Sequence, residues 1–132
     1  MRRVAEILLT LVAFGEITVG AALLLWPDAV VEFLLEAPIG TAGTTIARMA
    51  GLAIAALGLA WWPDRNRLDD APPRQIAVGF IGYNVAVGLL FIIYAWNAGQ
   101  RLPFAWLVGV LHLLVGVIFA VACRAQLVAN AG

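Results

Sequence analysis

Three polar side chains that could do chemistry lie at unusual positions in this sequence. Glu16, Asn84 and His112 each stand near the middle of a different long apolar segment, and a glycine follows each of them four residues later. An ionisable group in such a segment costs about 2.5–3.5 kcal/mol, so it generally has a partner or a function. Small residues mark the faces on which apolar helices pack closely. We therefore expect the three polar groups to face one another inside a bundle of helices.

Further side chains extend this candidate site. Tyr83 is next in sequence to one of the three polar residues. Arg48 lies near the start of another apolar segment, from which its long side chain can reach outward to acidic residues or bend inward toward Glu16. The aromatic residues Phe14 and Phe80 are candidates for the lining of a pocket. The predicted ligand-binding residues are Glu16, Arg48, Tyr83, Asn84 and His112.

These polar groups have three interpretations. In the first, Glu16 is protonated, because burial away from water disfavours a charged carboxylate, and it donates a hydrogen bond to Asn84, His112 or a backbone carbonyl. Such bonds contribute about 0.6–2 kcal/mol in membranes and would fix the register of the helices. In the second interpretation the groups bind an apolar ligand, and in the third they relay protons.

This sequence lacks the residues that several classes of enzyme reaction require. It contains no Ser and no Lys, so it has neither a serine nucleophile nor a Schiff-base lysine. Cys123 is the only cysteine and His112 the only histidine, which excludes an intrachain disulfide and two histidine ligands to one haem within the chain. Metal sites need more strong ligands than these positions offer. We therefore expect no catalytic residues and no metal site, and a non-enzymatic protein more readily than an enzyme.

The composition requires lipid to be the solvent for much of the chain. Of its 132 residues, 64% are hydrophobic and 12% are charged, whereas soluble domains have about 45–50% apolar and roughly 25% charged residues. Continuous apolar runs of about 20 residues predict membrane-spanning helices. The four predicted spans are residues 4–26, 44–62, 75–96 and 103–123. The sequence thus predicts an all-α, four-helix integral membrane bundle, with residues 1–132 forming a single transmembrane domain.

Tryptophan and arginine positions predict the span ends and the orientation. Every Trp lies near a predicted span end, as is typical of membrane interfaces. Six arginines fall on one side of the membrane, where the positive-inside rule indicates the cytoplasm: Arg2, Arg3, Arg65, Arg67, Arg74 and Arg124. Arg101 falls on the other side, as does Arg48 just inside the edge of its span. We therefore expect both termini to be cytoplasmic. Glu16 interrupts the first apolar run and no A-x-A site follows, so we expect this span to be retained and not cleaved as a signal peptide.

The connections between the spans carry most of the charge. Asp28, Glu32 and Glu36 recur every four residues after the first span, which predicts one acidic stripe on a short interfacial helix at about residues 28–37. A partner-docking helix has the same pattern. The charges of residues 64–74 predict a solvated inner linker. The spacings Gly15–Gly20 and Gly82–Gly88 hint that the two halves of the chain are related.

The segment from the first connection through the second span resembles DoxX-like small bacterial membrane proteins. Two motifs within residues 27–62 carry the likeness: Pro27-Asp28-Ala29-Val30-Val31-Glu32-Phe33, and Ala47-Arg48-Met49-Ala50-Gly51 followed by Leu57-Gly58-Leu59. The resemblance implies a four-helix bundle in the bacterial inner membrane. It also implies an association with quinone-linked oxidoreductases as a membrane subunit, and it identifies no catalytic residue.

Three functions follow from these patterns. The first is a non-enzymatic subunit or scaffold of a membrane complex, with another membrane protein or a second copy of the chain as its partner. The second is a binder of an apolar ligand, a quinone or a lipid, at a mid-membrane site formed by Glu16, Asn84 and His112. The third is proton or ion translocation by an oligomer. Membrane lipid is an expected partner of each, and the formal net charge of zero gives no basis for nucleic-acid binding.

Overall fold

A computed structural model describes residues 2–62, 74–98 and 102–129, and these described residues form five α-helices and no β-strand. In chain order the helices are α1 (Arg2–Leu25), α2 (Pro27–Leu35), α3 (Thr41–Trp61), α4 (Arg74–Asn97) and α5 (Pro103–Ala129). Most of the predicted inner linker, with Arg65 and Arg67, lies outside the described residues, as does Arg101.

Four of these helices are long and apolar enough to cross a membrane, namely α1, α3, α4 and α5. The all-α, four-helix membrane bundle predicted from the sequence is therefore confirmed. The bounds differ by a few residues: α3 begins at Thr41, ahead of the predicted residue 44, and α5 continues to Ala129, past the predicted residue 123. Hydropathy marks only the apolar part of a helix, whereas backbone hydrogen bonding continues into its polar ends.

Each pair of neighbouring spans forms an antiparallel hairpin, α1 with α3 and α4 with α5. Tyr94, near the end of α4, bonds to Leu35 of α2, so helices α1 and α4 end, and α3 and α5 begin, at the same end of the bundle. We call this the α2 end, because α2 lies there between α1 and α3. The opposite end, which includes Arg2, Trp61 and Arg74, is the terminal end. The spans of each hairpin thus run through the bundle in opposite directions.

Glycine contacts hold the helices of each hairpin together. A Cβ atom built on Gly20 of α1 would lie 2.6 Å from the backbone oxygen of Gly51 in α3. One built on Gly88 of α4 would lie 2.9 Å from the backbone oxygen of Gly109 in α5. Only a residue without a side chain lets two backbones approach this closely. Each hairpin therefore has a glycine crossing at corresponding positions.

The second hairpin repeats further contacts of the first. Gly58 of α3 packs against Ile17 of α1, and Gly116 of α5 packs against Val85 of α4. The residue numbers of these corresponding positions in α1 and α4 differ by the same amount as those of the glycine crossings in the same two helices. The same is true of the corresponding positions in α3 and α5. The two hairpins are thus an internal repeat, in which α4 corresponds to α1 and α5 to α3.

Only two of the four glycines noted in the sequence pack against a neighbouring helix in this repeat. Gly20 and Gly88 form the crossings, whereas a Cβ atom built on Gly15 or on Gly82 would have no neighbour within 4 Å. The offset that relates α1 to α4 places Tyr83, and not Gly82, at the position of Gly15. The repeat is therefore defined by the packed glycines alone.

Aromatic rings join the two hairpins near the terminal end. Trp61 of α3 packs against Phe80 of α4 with ring centroids 5.1 Å apart, and Phe80 packs against Phe119 of α5 at 4.4 Å. Trp61 lies at the end of its span, as predicted, but it is only 6% exposed and packs inside the bundle. Trp26 and Trp96 are well exposed, as an interfacial position requires. The rings of Trp61, Phe80 and Phe119 form what we call the aromatic core.

Helix α2 covers the other end of the bundle. It begins at Pro27, where the fixed φ of proline suits the first helical turn, and it ends before Glu36, which adopts the left-handed conformation with φ 51°. Asp28, Glu32 and Glu36 are exposed. The short helix predicted at residues 28–37 is therefore present, with its acidic stripe on the surface.

Two hydrogen bonds fasten α2 to the spans. The Thr44 hydroxyl in α3 donates to Oδ1 of Asp28 at 2.8 Å. The Tyr94 hydroxyl in α4 donates to the backbone oxygen of Leu35 at 2.9 Å. Because one bond goes to each hairpin, α2 bridges both of them at the α2 end.

Candidate functional site

Three side chains meet in the middle of the bundle: Glu16 of α1, Tyr83 of α4 and His112 of α5. The Tyr83 hydroxyl donates to Oε2 of Glu16 at 2.9 Å. Nε2 of His112 lies 3.6 Å from Oε1 of the same carboxyl group. The rings of Tyr83 and His112 lie with their centroids 6.3 Å apart. We call these three residues the Glu16 cluster, and it connects the first hairpin to the second.

Helix geometry explains why these side chains meet. Glu16 lies nine residues before the end of α1, and His112 lies nine residues after the start of α5. Both ends are at the α2 end of the bundle, so the two residues lie at the same depth, about 13 Å along the helix axis at 1.5 Å per residue. Tyr83 starts nearer the terminal end, and its long side chain covers the difference in depth.

The side chains of the Glu16 cluster are buried to different extents. The side chain of Glu16 is 10% exposed and that of His112 is 23% exposed. Both residues belong to the middle of apolar spans, where the surroundings of an exposed atom are lipid and not water. The carboxyl group is therefore inside the bundle, while part of the imidazole is open at its surface.

The hydrogen bonds of His112 define where one of its protons lies. Nδ1 is 2.9 Å from the backbone oxygen of Val108, and a carbonyl oxygen only accepts, so Nδ1 carries a hydrogen. Nε2 is then an acceptor in the neutral ring and a donor in the charged ring. A lone charged carboxylate is costly at this depth, so we expect one proton on the pair, either on Oε1 of Glu16 or on Nε2 of His112. The pair is neutral overall in both arrangements.

Asn84 lies beside the cluster but does not bond to it. It is 1% exposed, and its Nδ2 donates to the backbone oxygen of Phe80 in its own helix at 2.9 Å. Its Cβ packs against Gly116 of α5. Asn84, one of the three alternative partners predicted for Glu16, is therefore not bonded to it, and the neighbouring Tyr83 is.

Arg48 is not brought to the cluster. It is exposed on α3, and it forms no hydrogen bond or ion pair with any of the residues that the structure describes. The expected pairing with Glu32, Glu36 or Glu16 is therefore not formed. An arginine at this depth extends its flexible chain toward the membrane surface.

The two aromatic residues expected to line a pocket have different positions. Phe14 is 63% exposed on the outer face of α1, so its predicted role as a lining residue is wrong. Phe80 is fully buried in the aromatic core. Only Phe80 therefore lies on the inner side of the bundle, toward the terminal end.

Trp61 is the neighbour of the site that the sequence did not indicate. Its ring packs edge-on against Tyr83 with centroids 5.1 Å apart, so it supports the side chain that bonds to Glu16. Two consecutive tryptophans stand at the end of α3, and residue type alone does not show that Trp61 is buried while Trp62 is exposed. A helical-face analysis could have found it, because Trp61 lies three residues after Gly58, on the same face.

The aromatic core closes the terminal side of the cluster, because its rings are buried and touch one another. The open side of His112 faces the lipid region. Within residues 2–62, 74–98 and 102–129, no group of three or more His, Cys, Asp or Glu side chains could hold a metal ion. The arrangement can therefore donate, accept and exchange a proton within the membrane, and its exposed part is the His112 side chain in the middle of a span.

Comparison with protein-family models, with curated proteins and with solved structures found no match to this chain.

Proposed function

We propose that this protein binds an apolar ligand, a quinone or a lipid, at the Glu16 cluster within the membrane. One observation carries the proposal: Glu16 of one hairpin contacts Tyr83 and His112 of the other hairpin at mid-span. Ionisable side chains are rare within membrane spans, and those that occur there generally mark functional sites. A polar cluster between two hairpins at this depth favours a binding function.

The hydrogen-bonding capacity of the cluster supports ligand binding. Oε1 of Glu16 and Nε2 of His112 lie 3.6 Å apart, which is within reach of an ion pair but longer than the about 2.7–3.2 Å of a well-formed hydrogen bond. Their direct contact is therefore weak, and each atom has the capacity to form a shorter hydrogen bond with a third polar group. An apolar ligand could bring that group from the lipid past the open side of His112.

A second candidate function is that of a subunit of a membrane complex, which Arg48 favours. Arg48 is exposed on a membrane span and has no partner among the described residues. The acidic stripe Asp28, Glu32 and Glu36 is exposed as well. Charged groups of opposite sign on a partner would complement both features.

Native mass spectrometry of the protein extracted in mild detergent tests both candidates. Ligand binding predicts a discrete small mass added to the 14.0 kDa chain, reduced at least about tenfold in occupancy by Glu16→Leu and by His112→Phe. Tyr94→Phe is the matched control, because it removes a tyrosine hydrogen bond from α4 outside the cluster. Its ligand occupancy is expected to equal that of the wild type.

The same spectra separate the alternatives. A small added mass that both cluster variants keep would sink the proposed binding site. A large added mass that matches another polypeptide, and that is lost in Arg48→Leu, would support the subunit function. Proton or ion translocation stays a prediction, as does the resemblance to DoxX-like proteins.

We also infer that the bundle lies in a bacterial inner membrane with both termini in the cytoplasm. The excess of arginine at the terminal end supports this orientation. The α2 end, with its acidic stripe, would then face outward.

A further inference from the structure

The atoms that face each other in the Glu16 cluster specify the polar group of the ligand. Building on the proposed function, we infer that the ligand carries a free hydroxyl group that bridges Oε1 of Glu16 and Nε2 of His112. Its chemical class is an apolar molecule with at least one free hydroxyl group at its polar end, as in a quinol or a diacylglycerol.

Two other polar atoms of the Glu16 cluster already have a hydrogen-bond partner. Oε2 of Glu16 accepts the hydrogen of the Tyr83 hydroxyl at 2.9 Å. Nδ1 of His112 donates to the backbone oxygen of Val108 at 2.9 Å. Oε1 and Nε2 are joined only by their 3.6 Å contact with each other, so these two atoms are the best placed to form new, shorter hydrogen bonds to a ligand.

The hydrogens on Oε1 and Nε2 decide which polar group these two atoms bind. With one proton on the pair, one of the two atoms is a donor and the other an acceptor. A hydroxyl group is both a donor and an acceptor. It can therefore satisfy both atoms at once, whether the proton lies on Glu16 or on His112.

Other polar groups fit less well. A ketone or quinone carbonyl only accepts, so it leaves the acceptor of the pair buried without a hydrogen bond, which weakens binding by about tenfold. A carboxylate or an ammonium group would bring an unpaired charge to mid-membrane. The cluster is thus expected to distinguish an alcohol from the ketone of the same skeleton.

Equilibrium binding of two radiolabelled probes to the full-length protein in nanodiscs tests this inference. The probes are a long-chain secondary alcohol and the ketone with the same carbon skeleton. For the wild-type protein the alcohol is expected to bind about tenfold more tightly. Competition with a prenylated quinol and with a diacylglycerol then distinguishes a quinol from a lipid as the source of the hydroxyl.

Two variants separate hydrogen bonding from loss of structure. In Glu16→Gln the amide oxygen can accept from Tyr83 while the amide nitrogen replaces the donor, so the tenfold preference is expected to remain. In His112→Phe the ring is kept but Nε2 is lost, so the preference should fall to about one. Circular dichroism of both variants checks that the helices are intact.

The outcomes distinguish the failure of this inference from that of the proposed function. Equal binding of alcohol and ketone to the wild type, lost in Glu16→Leu, would overturn the hydroxyl assignment and leave the ligand site standing. Binding of neither probe above the level of empty nanodiscs would overturn both. A preference for the alcohol that persists in His112→Phe would also contradict the assignment.

Discussion

Glu16 is held by side chains that belong to the other half of the molecule. The sequence predicted its depth and that of His112, because counting residues along an apolar run fixes depth well. It did not predict that Tyr83, and not Asn84, would bond to Glu16. Consecutive residues on a helix point about 100° apart, and only the packing of α4 against its neighbours decides which of them faces inward to the carboxyl group.

The internal repeat gives these residues a further relation. Asn84 occupies in the second hairpin the position of Glu16 in the first, and Ile54 occupies the position of His112. Both Glu16 and Asn84 are buried. The positions that correspond to His112 and Tyr83 are occupied by the apolar Ile54 and by Gly15, which lacks a side chain. The repeat therefore contains one polar cluster and not two symmetric ones.

At this scale we predict a measurable coupling between Tyr83 and Glu16. Their hydrogen bond at 2.9 Å is expected to contribute about 0.6–2 kcal/mol, as such bonds do in membranes. A double-mutant cycle of Tyr83→Phe and Glu16→Leu, measured by unfolding in mixed micelles, gives this coupling energy. The pair Tyr94→Phe and Glu16→Leu is the control, and additive effects in both cycles would contradict the bond.

Among the helices, the close glycine crossings decide how each hairpin packs. The sequence predicted the spans from their apolar runs, and it predicted that small residues mark packed faces. It could not say which glycines pack, because Gly15, Gly20, Gly82 and Gly88 are the same residue type. Their different surroundings arise only when α1 meets α3 and α4 meets α5.

We predict opposite effects for two glycine substitutions in α1. Gly20→Ala places a Cβ atom 2.6 Å from a backbone oxygen of α3, so the hairpin must shift, which costs about 1–3 kcal/mol. Gly15→Ala meets no neighbour within 4 Å and should stabilise the helix by up to about 1 kcal/mol. Unfolding in mixed micelles measures both. A Gly20→Ala variant as stable as the wild type would refute the crossing.

For the molecule as a whole, the connections between the two hairpins matter most. The aromatic core joins them near the terminal end, the Glu16 cluster joins them at mid-span, and α2 bridges them at the α2 end. Apolar runs predicted the bundle but not this arrangement, because the contacts between the hairpins come from a few side chains that are far apart in sequence. Trp61 illustrates this, since its type suggested an interface and its packing places it in the core.

The central claim is that an apolar ligand binds at the Glu16 cluster, and photoaffinity labelling tests its location most directly. A long-chain alcohol with a diazirine near its hydroxyl group is bound to the protein in nanodiscs, irradiated, and mapped by peptide mass spectrometry. We predict labelling of the middle of α1, α4 and α5 around Glu16, Tyr83 and His112, and this labelling is expected to be suppressed by excess unlabelled alcohol and by Glu16→Leu. Labelling spread over exposed residues such as Phe14 and Leu52, and unchanged by competitor and by Glu16→Leu, would contradict it.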